Sequence, residues 1–529
     1  MNIMKTNKIL TISLLAATTL FTTGCKDSFL EVENPTGEPL EDYYTTDEHI
    51  QEALIAAYDP IHWADWGLNQ YNALNIDGEI MGDNFWVGGS NPADMQNWHM
   101  LSNYEANANN TLSSLWTVDY SGIKRCNDLL QYLDWAVDVT EENHALYEMQ
   151  ARLLRVFYYN MLWHYFGNVP FYLQNLNEPP YTAPQLSADE VYDNLITELE
   201  AVIESNVLPM KYYKDDQGND DKGQLGRVTQ AMAYMIYAEM VLYQNDDSRF
   251  TKALEYMRAI ISSSDYDLNP EYADIWETEG EWCIESIWEI NYEQANSERG
   301  WSSPLAVGGT VLPTLISPNT ISGDPDWTSP DGWGFLPVRE ETVALFSEED
   351  KRREATFWDL RDKPEVTYTA RYQDTRIWLN KYRPYNKNNQ SAPFDQNLNY
   401  NNNYRYYRYA ETLLNAAELS LRTGGSATGE ALGWINKVRE RAGLADLGRV
   451  TVNDVLTERR LEFVGEGKRY FDLVRAEGIA EAGAENKAST ALVPDQYGYR
   501  TNSWTPSKKY IPIAQAELDS DPALVQNNY

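Results

Sequence analysis

Apolar residues return every three or four positions through several long stretches of this chain, and short polar breaks divide those stretches into pairs. Ala151, Leu154, Tyr158, Met161 and Tyr165 mark one face of a helix, as do Val228, Ala231, Met235, Ala238 and Leu242. Phe250 to Ile261 supplies an amphipathic partner after the break Asn245-Asp246-Asp247-Ser248. Near the C-terminus, Tyr409 to Arg422 stops at Thr423-Gly424-Gly425, and a second helix, Glu430 to Arg441, ends before Gly443. Small residues on the first of these (Ala410, Ala416, Ala417) allow its partner a close approach. The pattern predicts a mostly α-helical fold of degenerate tetratricopeptide-like helix pairs, a scaffold that seldom carries chemistry of its own.

The connecting stretches are too long to be simple turns. Residues 60–110 and 265–340 are rich in Gly, Pro, Asn, Asp and Trp. Four tryptophans fall in the first (Trp63, Trp66, Trp86, Trp98) and six in the second (Trp276, Trp282, Trp288, Trp301, Trp327, Trp333). Irregular segments of this length in a compact domain are usually functional. Asn386 to Asn403 reads as a solvated loop.

Charge narrows the partners. With 80 acidic against 42 basic residues the net charge is -38, and no basic patch offsets it, so nucleic acid is not an expected ligand. The chain holds 37 Tyr and 17 Trp but only 13 Phe, which favours aromatics that join an apolar face to a polar edge. That excess suits a polar ligand with flat apolar faces.

The N-terminus reads as an address. Lys5 and Lys8 precede an apolar run from Ile9 to Phe21, then Thr22-Thr23-Gly24-Cys25. Thirteen helical residues span about 20 Å, short of a bilayer core of about 30 Å. Residues 1–24 are therefore expected to be a secretory signal. Gly24-Cys25 is expected to be the cleavage and lipidation point, tethering residues 25–529, a single ligand-binding domain, to a membrane. Cys126 and Cys283 sit in no metal-spaced set and read as two free buried thiols, with one bridge left open.

Enzyme signatures are weak. The five histidines form no HExxH pair, there is no GxSxG elbow, and Gly465-Glu466-Gly467-Lys468 lacks the upstream glycine of a phosphate loop. A carboxylate pair suited to glycoside hydrolysis stays open, since only distance in space would reveal it. The run Asp215-Asp216-Gln217-Gly218-Asn219-Asp220-Asp221 invites a calcium reading. It lacks the sixth-position Gly and twelfth-position Glu of a calcium loop, so no cofactor is expected and a structural calcium ion is unsupported by motif.

Several motifs resemble one family. Lys509-Tyr510-Ile511-Pro512-Ile513-Ala514-Gln515-Ala516-Glu517-Leu518, running on to Asn527-Asn528-Tyr529, closely resembles the closing motif of the SusD/RagB family of Bacteroidetes surface lipoproteins. Glu458-Arg459-Arg460-Leu461-Glu462-Phe463 with Glu466-Gly467-Lys468-Arg469 and Phe471-Asp472-Leu473 is similar to its best-known signature. Arg408-Tyr409-Ala410-Glu411-Thr412-Leu413-Leu414 matches a third motif. Leu153-Leu154-Arg155, Phe166-Gly167-Asn168-Val169-Pro170, Leu115-Trp116 with Ile123-Lys124-Arg125-Cys126-Asn127, and Phe29-Leu30 extend the likeness from Cys25 to Tyr529.

The resemblance implies a SusD-like fold with helix pairs as scaffold (about 40–265 and 405–475), a few short strands, and loops (about 60–110 and 265–400) that build a ligand site. It implies a non-catalytic lid on a SusC-type TonB-dependent outer-membrane transporter, capturing oligosaccharide or polysaccharide; a peptide-binding relative is the alternative. Asp27, Glu31 and Glu33 resemble the sorting signals of such lipoproteins, which places the expected location on the outer face of the outer membrane.

The signature charges alternate in sign at helical spacings and read as an ion-pair lattice rather than an active site. The ligand site is argued from sugar chemistry, in which a ring face stacks on indole or phenol and the hydroxyl rim meets Asp, Asn or Arg. Asp83 and Asn84, with Trp86 before Gly88-Gly89 and Trp98 twelve residues later, are first candidates. In family members the loop after the first long helix contributes to the binding face. Trp63 and Trp66 are further candidates, although three apart they also fit one helical face. In the second region Trp301 follows Arg299-Gly300, and Trp327 lies among Asp324-Pro325-Asp326 and Ser329-Pro330. Trp333 stands between Gly332 and Gly334, in a segment that also resembles a structural family element. Tyr292 fits a core role equally well, and Arg371 with Tyr372 are candidates to close the pocket.

Overall fold

The computed structural model describes residues 39–68, 70–212, 222–325 and 332–529. The leader with Cys25, the acidic run 215–221 and Trp327 lie outside them.

Among the described residues ten helices form the scaffold: α1 (Asp47–Tyr58), α2 (Ser113–Leu133), α3 (Glu141–Phe166), α4 (Ala188–Ser205), α5 (Gln230–Gln244), α6 (Phe250–Ser262), α7 (Tyr409–Arg422), α8 (Glu430–Arg441), α9 (Val452–Glu462) and α10 (Arg469–Arg475). Their starts are written in the sequence. The Thr46, Thr140 and Thr229 hydroxyls each accept an N–H of the first turn, and Ser187 with Glu190, like Thr451 with Asp454, closes a reciprocal capping box. Asn206 and Asn245 end α4 and α5 in left-handed conformations.

Each helix packs on the next, α2 on α3 through to α5 on α6, and α7 on α8 and α9. α3 is buried all round from Leu153 to Phe166, and its polar members Arg155, Asn160 and His164 are hydrogen-bonded there. Gly122 of α2 lies against the Tyr158 ring of α3; a Cβ there would stand 2.3 Å from Tyr158 Cζ, so only glycine lets these two helices approach so closely.

The two halves of the scaffold meet where α6 packs against α7, although residues 263–408 separate them in sequence. Those residues form an excursion hung from one ribbon. Strand Ser286–Ile290 pairs antiparallel with Tyr404–Arg408, so the chain leaves and re-enters the scaffold at one place. Two smaller ribbons, Asn319–Ser322 with Thr367–Thr369 and Phe357–Asp359 with Ile377–Leu379, brace the excursion.

The signature charges form a buried lattice at the root of that ribbon. Glu462 takes Arg352 at 3.1 Å, Arg408 at 3.0 Å, and Arg441. Arg459 pairs with Glu411 and Asp472, and Arg475 with Glu418 and Asp472. Burial raises Glu462, yet Arg441, Arg408 and Arg352 outweigh it and hold the carboxyl below its ordinary range. These residues tie helices together, and Glu411, Arg459, Asp472 and Arg475 also line a cavity with Glu239 and Lys468. Both remaining cysteines are free thiols; Cys126 is buried and Cys283 half-buried.

Candidate functional site

Four aromatic rings from three separate segments close into a platform. Trp66 meets Trp301 at 5.1 Å and Tyr71 at 6.1 Å; Trp333 meets Tyr71 at 5.3 Å and stacks on Trp301 at 6.0 Å with 24° between planes. Trp66 is the buried floor, at 7% exposure, while Trp301 is 48% exposed and Tyr71 and Trp333 are half-buried. The result is a broad face of indole and phenol open to solvent.

One buried arginine organises it. Arg299 donates from Nε to the Pro304 carbonyl (2.9 Å) and from Nη1 to the Gly309 carbonyl (2.7 Å). Its Nη2 donates to Asp65 Oδ1 (2.6 Å) and to the Trp66 carbonyl. Asp65 Oδ2 accepts from the Thr310 hydroxyl and the Val311 N–H, both at 2.8 Å. A fully satisfied buried pair therefore fastens the loop carrying Trp66 to the loop carrying Trp301. Trp301 stands at the tip of a hairpin-like turn closed by Glu298 N–H to the Val307 carbonyl (2.8 Å), and its own N–H donates to Asp395 Oδ2 (3.1 Å).

Trp333 is set by its backbone. Its N–H donates to the Thr314 carbonyl, and the Gly334 and Phe335 N–H groups to the Ser317 and Leu315 carbonyls. Gly334 has φ +74°, and a Cβ there would lie 2.9 Å from Arg371 Cδ, so glycine admits the arginine. Arg371 Nη1 donates to the Trp333 carbonyl at 2.9 Å, and no carboxylate pairs with it among the described residues. Burial first, then the charge of Asp65, pushes the Tyr71 hydroxyl up to about 12, which keeps it a donor at neutral pH.

Of the sequence candidates, Trp66, Trp301, Trp333 and Arg371 are thus brought together. The first candidates require correction. Trp98 is fully buried, edge-on to Phe335 at 5.2 Å. Trp86 is 4% exposed and lies under the Arg339 guanidinium, 3.6 Å from its ring centre. Asp83 is tied to Arg469 (2.7 Å) and Arg460 (3.0 Å), and the Asn84 side chain accepts from Arg460 and donates to Glu79. The polar sequence Asp83-Asn84 looked ligand-facing because its arginine partners lie hundreds of residues away.

Trp63 is buried beneath Arg125, itself paired with Asp59. Tyr292 packs against the core behind the Asp65–Arg299 pair, and its N–H donates to Asn403. It also lines a separate groove of about 720 Å³ with Tyr58, Trp282 and Trp288. Tyr71 and Arg299 were missed as site residues; an arginine beside Gly300-Trp301 gave no local sign that its partner was Asp65. Among the described residues no group of three or more His, Cys, Asp or Glu is placed to hold a metal ion, and no helix is long and apolar enough to cross a membrane.

Solved structures decide the relationship. The surface glycan-binding protein A from Bacteroides uniformis is 74% identical, with a TM-score of 0.85 over 92% of this chain and 100% of that one. The chain belongs to the SusD/RagB family. The SusD family model matches residues 284–529, and a second model, described as starch-binding associating with outer membrane, matches residues 28–222. The surface glycan-binding protein A from Bacteroides thetaiotaomicron, solved in complex with laminarihexaose, is 51% identical with a TM-score of 0.84, over 92% of this chain and 100% of that one. A laminarin-binding SusD-like protein is 27% identical over 92% and 99%, with a TM-score of 0.78. In this family member the platform joins Trp301 and Trp333 of the long excursion to Trp66 and Tyr71 of the first loop region.

Proposed function

We propose that this SusD/RagB protein is a cell-surface glycan-capture lipoprotein that holds a laminarin-type glucan on the Trp66–Tyr71–Trp301–Trp333 platform. The glucan is passed to a SusC-type TonB-dependent transporter. The observation that carries the reading is the platform itself: ring faces for stacking pyranose C–H faces, with Arg371 at the rim for hydroxyls. The laminarihexaose complex of a 51% identical relative supports the choice of glucan. Anchoring through a lipid on Cys25, with the body facing outward from the outer membrane, fits the leader and the description of the second family model. Capture proceeds without hydrolysis, as the names of the similar structures suggest.

Affinity electrophoresis of the chain lacking residues 1–25 through gels cast with laminarin or starch tests this, followed by calorimetry with laminarihexaose. Retardation by laminarin that disappears in Trp301→Ala is expected, with no new reducing ends after prolonged incubation. Equal mobility in every gel, or retention in Trp301→Ala, sinks the reading. Co-purification with a transporter from native membranes tests the delivery step.

A further inference from the structure

A second aromatic surface lies beyond the platform and plays no part in it. Asp495 Oδ1 accepts the N–H groups of Tyr497 (2.7 Å) and Tyr499 (3.2 Å), and Oδ2 accepts that of Arg500. Arg500, buried, fastens the turn to the body through the Ser102 carbonyl (2.8 Å) and the Gly82 carbonyl (2.7 Å). The turn presents the Tyr497 and Tyr499 rings side by side at 5.8 Å, 25° from parallel. Both rest edge-on against buried Trp86, at 6.0 and 5.1 Å, and Tyr372 joins Tyr499 at 5.5 Å. Tyr497 is 53% exposed, and Tyr499 and Tyr372 are half-buried.

Hydrogen bonds tie the segments that carry this strip to the segment that carries Trp333. Arg371 reaches the Trp333 carbonyl, while the next residue, Tyr372, donates its N–H to the Gly89 carbonyl (3.0 Å); Gly89 in turn donates to the Gly334 carbonyl (2.8 Å). Asp94 borders both surfaces, since its charge raises both Tyr71 on one side and His99, against Tyr372, on the other. Burial pushes His99 down to about 4, so its ring is uncharged at neutral pH.

We propose that Tyr372, Tyr499 and Tyr497 form a second sugar-binding subsite, which holds a distal stretch of the same glucan chain that the tryptophan platform grips. The inference rests on the glycan reading above. Exposed phenol faces with free edges suit a neutral polyol, and a chain already held at Trp301 meets the strip at high effective concentration. Two linked contacts favour long chains over short ones, because a disaccharide cannot occupy both.

The test compares laminarin, laminarihexaose and laminaribiose by calorimetry on the soluble chain, in Tyr497→Ala, in Tyr497→Ala/Tyr499→Ala and in Trp301→Ala. The expected result is a loss of about tenfold or more in laminarin affinity for the double variant, a smaller loss for Tyr497→Ala, and unchanged affinity for the shortest ligand that binds. Unchanged laminarin affinity in both tyrosine variants overturns the subsite, as does an equal loss at every chain length, which would mean that the turn only supports the platform. Failure of Trp301→Ala to weaken any ligand overturns the platform reading instead. Tyr497→Ala removes a mostly exposed ring, so it separates binding from folding if the double variant is unstable.

Discussion

The indoles of Trp301 and Trp333 stack at 6.0 Å, although one stands at the tip of a turn and the other on a backbone rung against Thr314 and Ser317. Neither ring is held by the other's segment. Their alignment depends on the Arg299–Asp65 pair, which fixes the Trp301 turn against the loop of Trp66.

Trp301→Ala removes the most exposed ring of the platform. Affinity for laminarihexaose is expected to fall by about tenfold or more, roughly 1.4 kcal/mol at least, while the urea midpoint stays near that of the parent protein. Calorimetry and urea unfolding on the same preparation check both halves.

Trp98→Ala should do the reverse. A fully buried indole leaves a cavity, so stability is expected to fall by about 3–5 kcal/mol. Molecules that remain folded should bind laminarihexaose with parental affinity. A selective loss of binding would return Trp98 to the ligand site.

Arg299→Met leaves Asp65 buried without its partner, at an expected cost of about 3–5 kcal/mol. Because the same pair joins the two loops, binding should weaken as well. Adding Asp65→Asn to Arg299→Met is expected to restore part of the stability and little of the binding, since no guanidinium is left to gather the Pro304, Gly309 and Trp66 carbonyls. Thermal unfolding and calorimetry of the single and double variants decide.

Stability should decline on both sides of mildly acidic pH. Burial raises Asp83, Glu418, Glu462 and Asp472, but their arginine partners hold each below its ordinary range. Their contribution is complete above the unfolded pKa of about 4 and is lost as pH falls through the folded values. Glu79 and Glu281 behave oppositely, because burial pushes both up to about 7. The folded chain keeps protons there that the unfolded chain releases, so this contribution declines as pH rises from 4.5 to about 7. Urea midpoints measured from well below about pH 4 up to about pH 7 should show both limbs, and Glu281→Gln should flatten only the upper one.

Helices α7 and α8 begin and end where apolar spacing and glycine stops place them, since caps and periodicity act over a few residues. The alternating charges of α9 and α10 likewise announced a lattice, though not that Arg352, Arg408 and Arg441 would converge on Glu462 from outside the motif. The length and tryptophans of the loops mark them in the sequence as the candidate ground for a site. Which tryptophans face solvent is not legible there: Trp86 and Trp301 both stand within two residues of a glycine, yet one is covered by Arg339 and the tyrosine turn while the other is 48% exposed.

By itself, then, the sequence determined the helical scaffold and its pairing, the strongly acidic net charge, and the family motifs. All of these are local patterns or sums over residues. Tertiary structure alone decided the site, because burial of an indole depends on segments far away in the chain. Asp65 and Arg299 must meet before Trp66, Tyr71, Trp301 and Trp333 become one surface, and no spacing along the chain encodes that meeting.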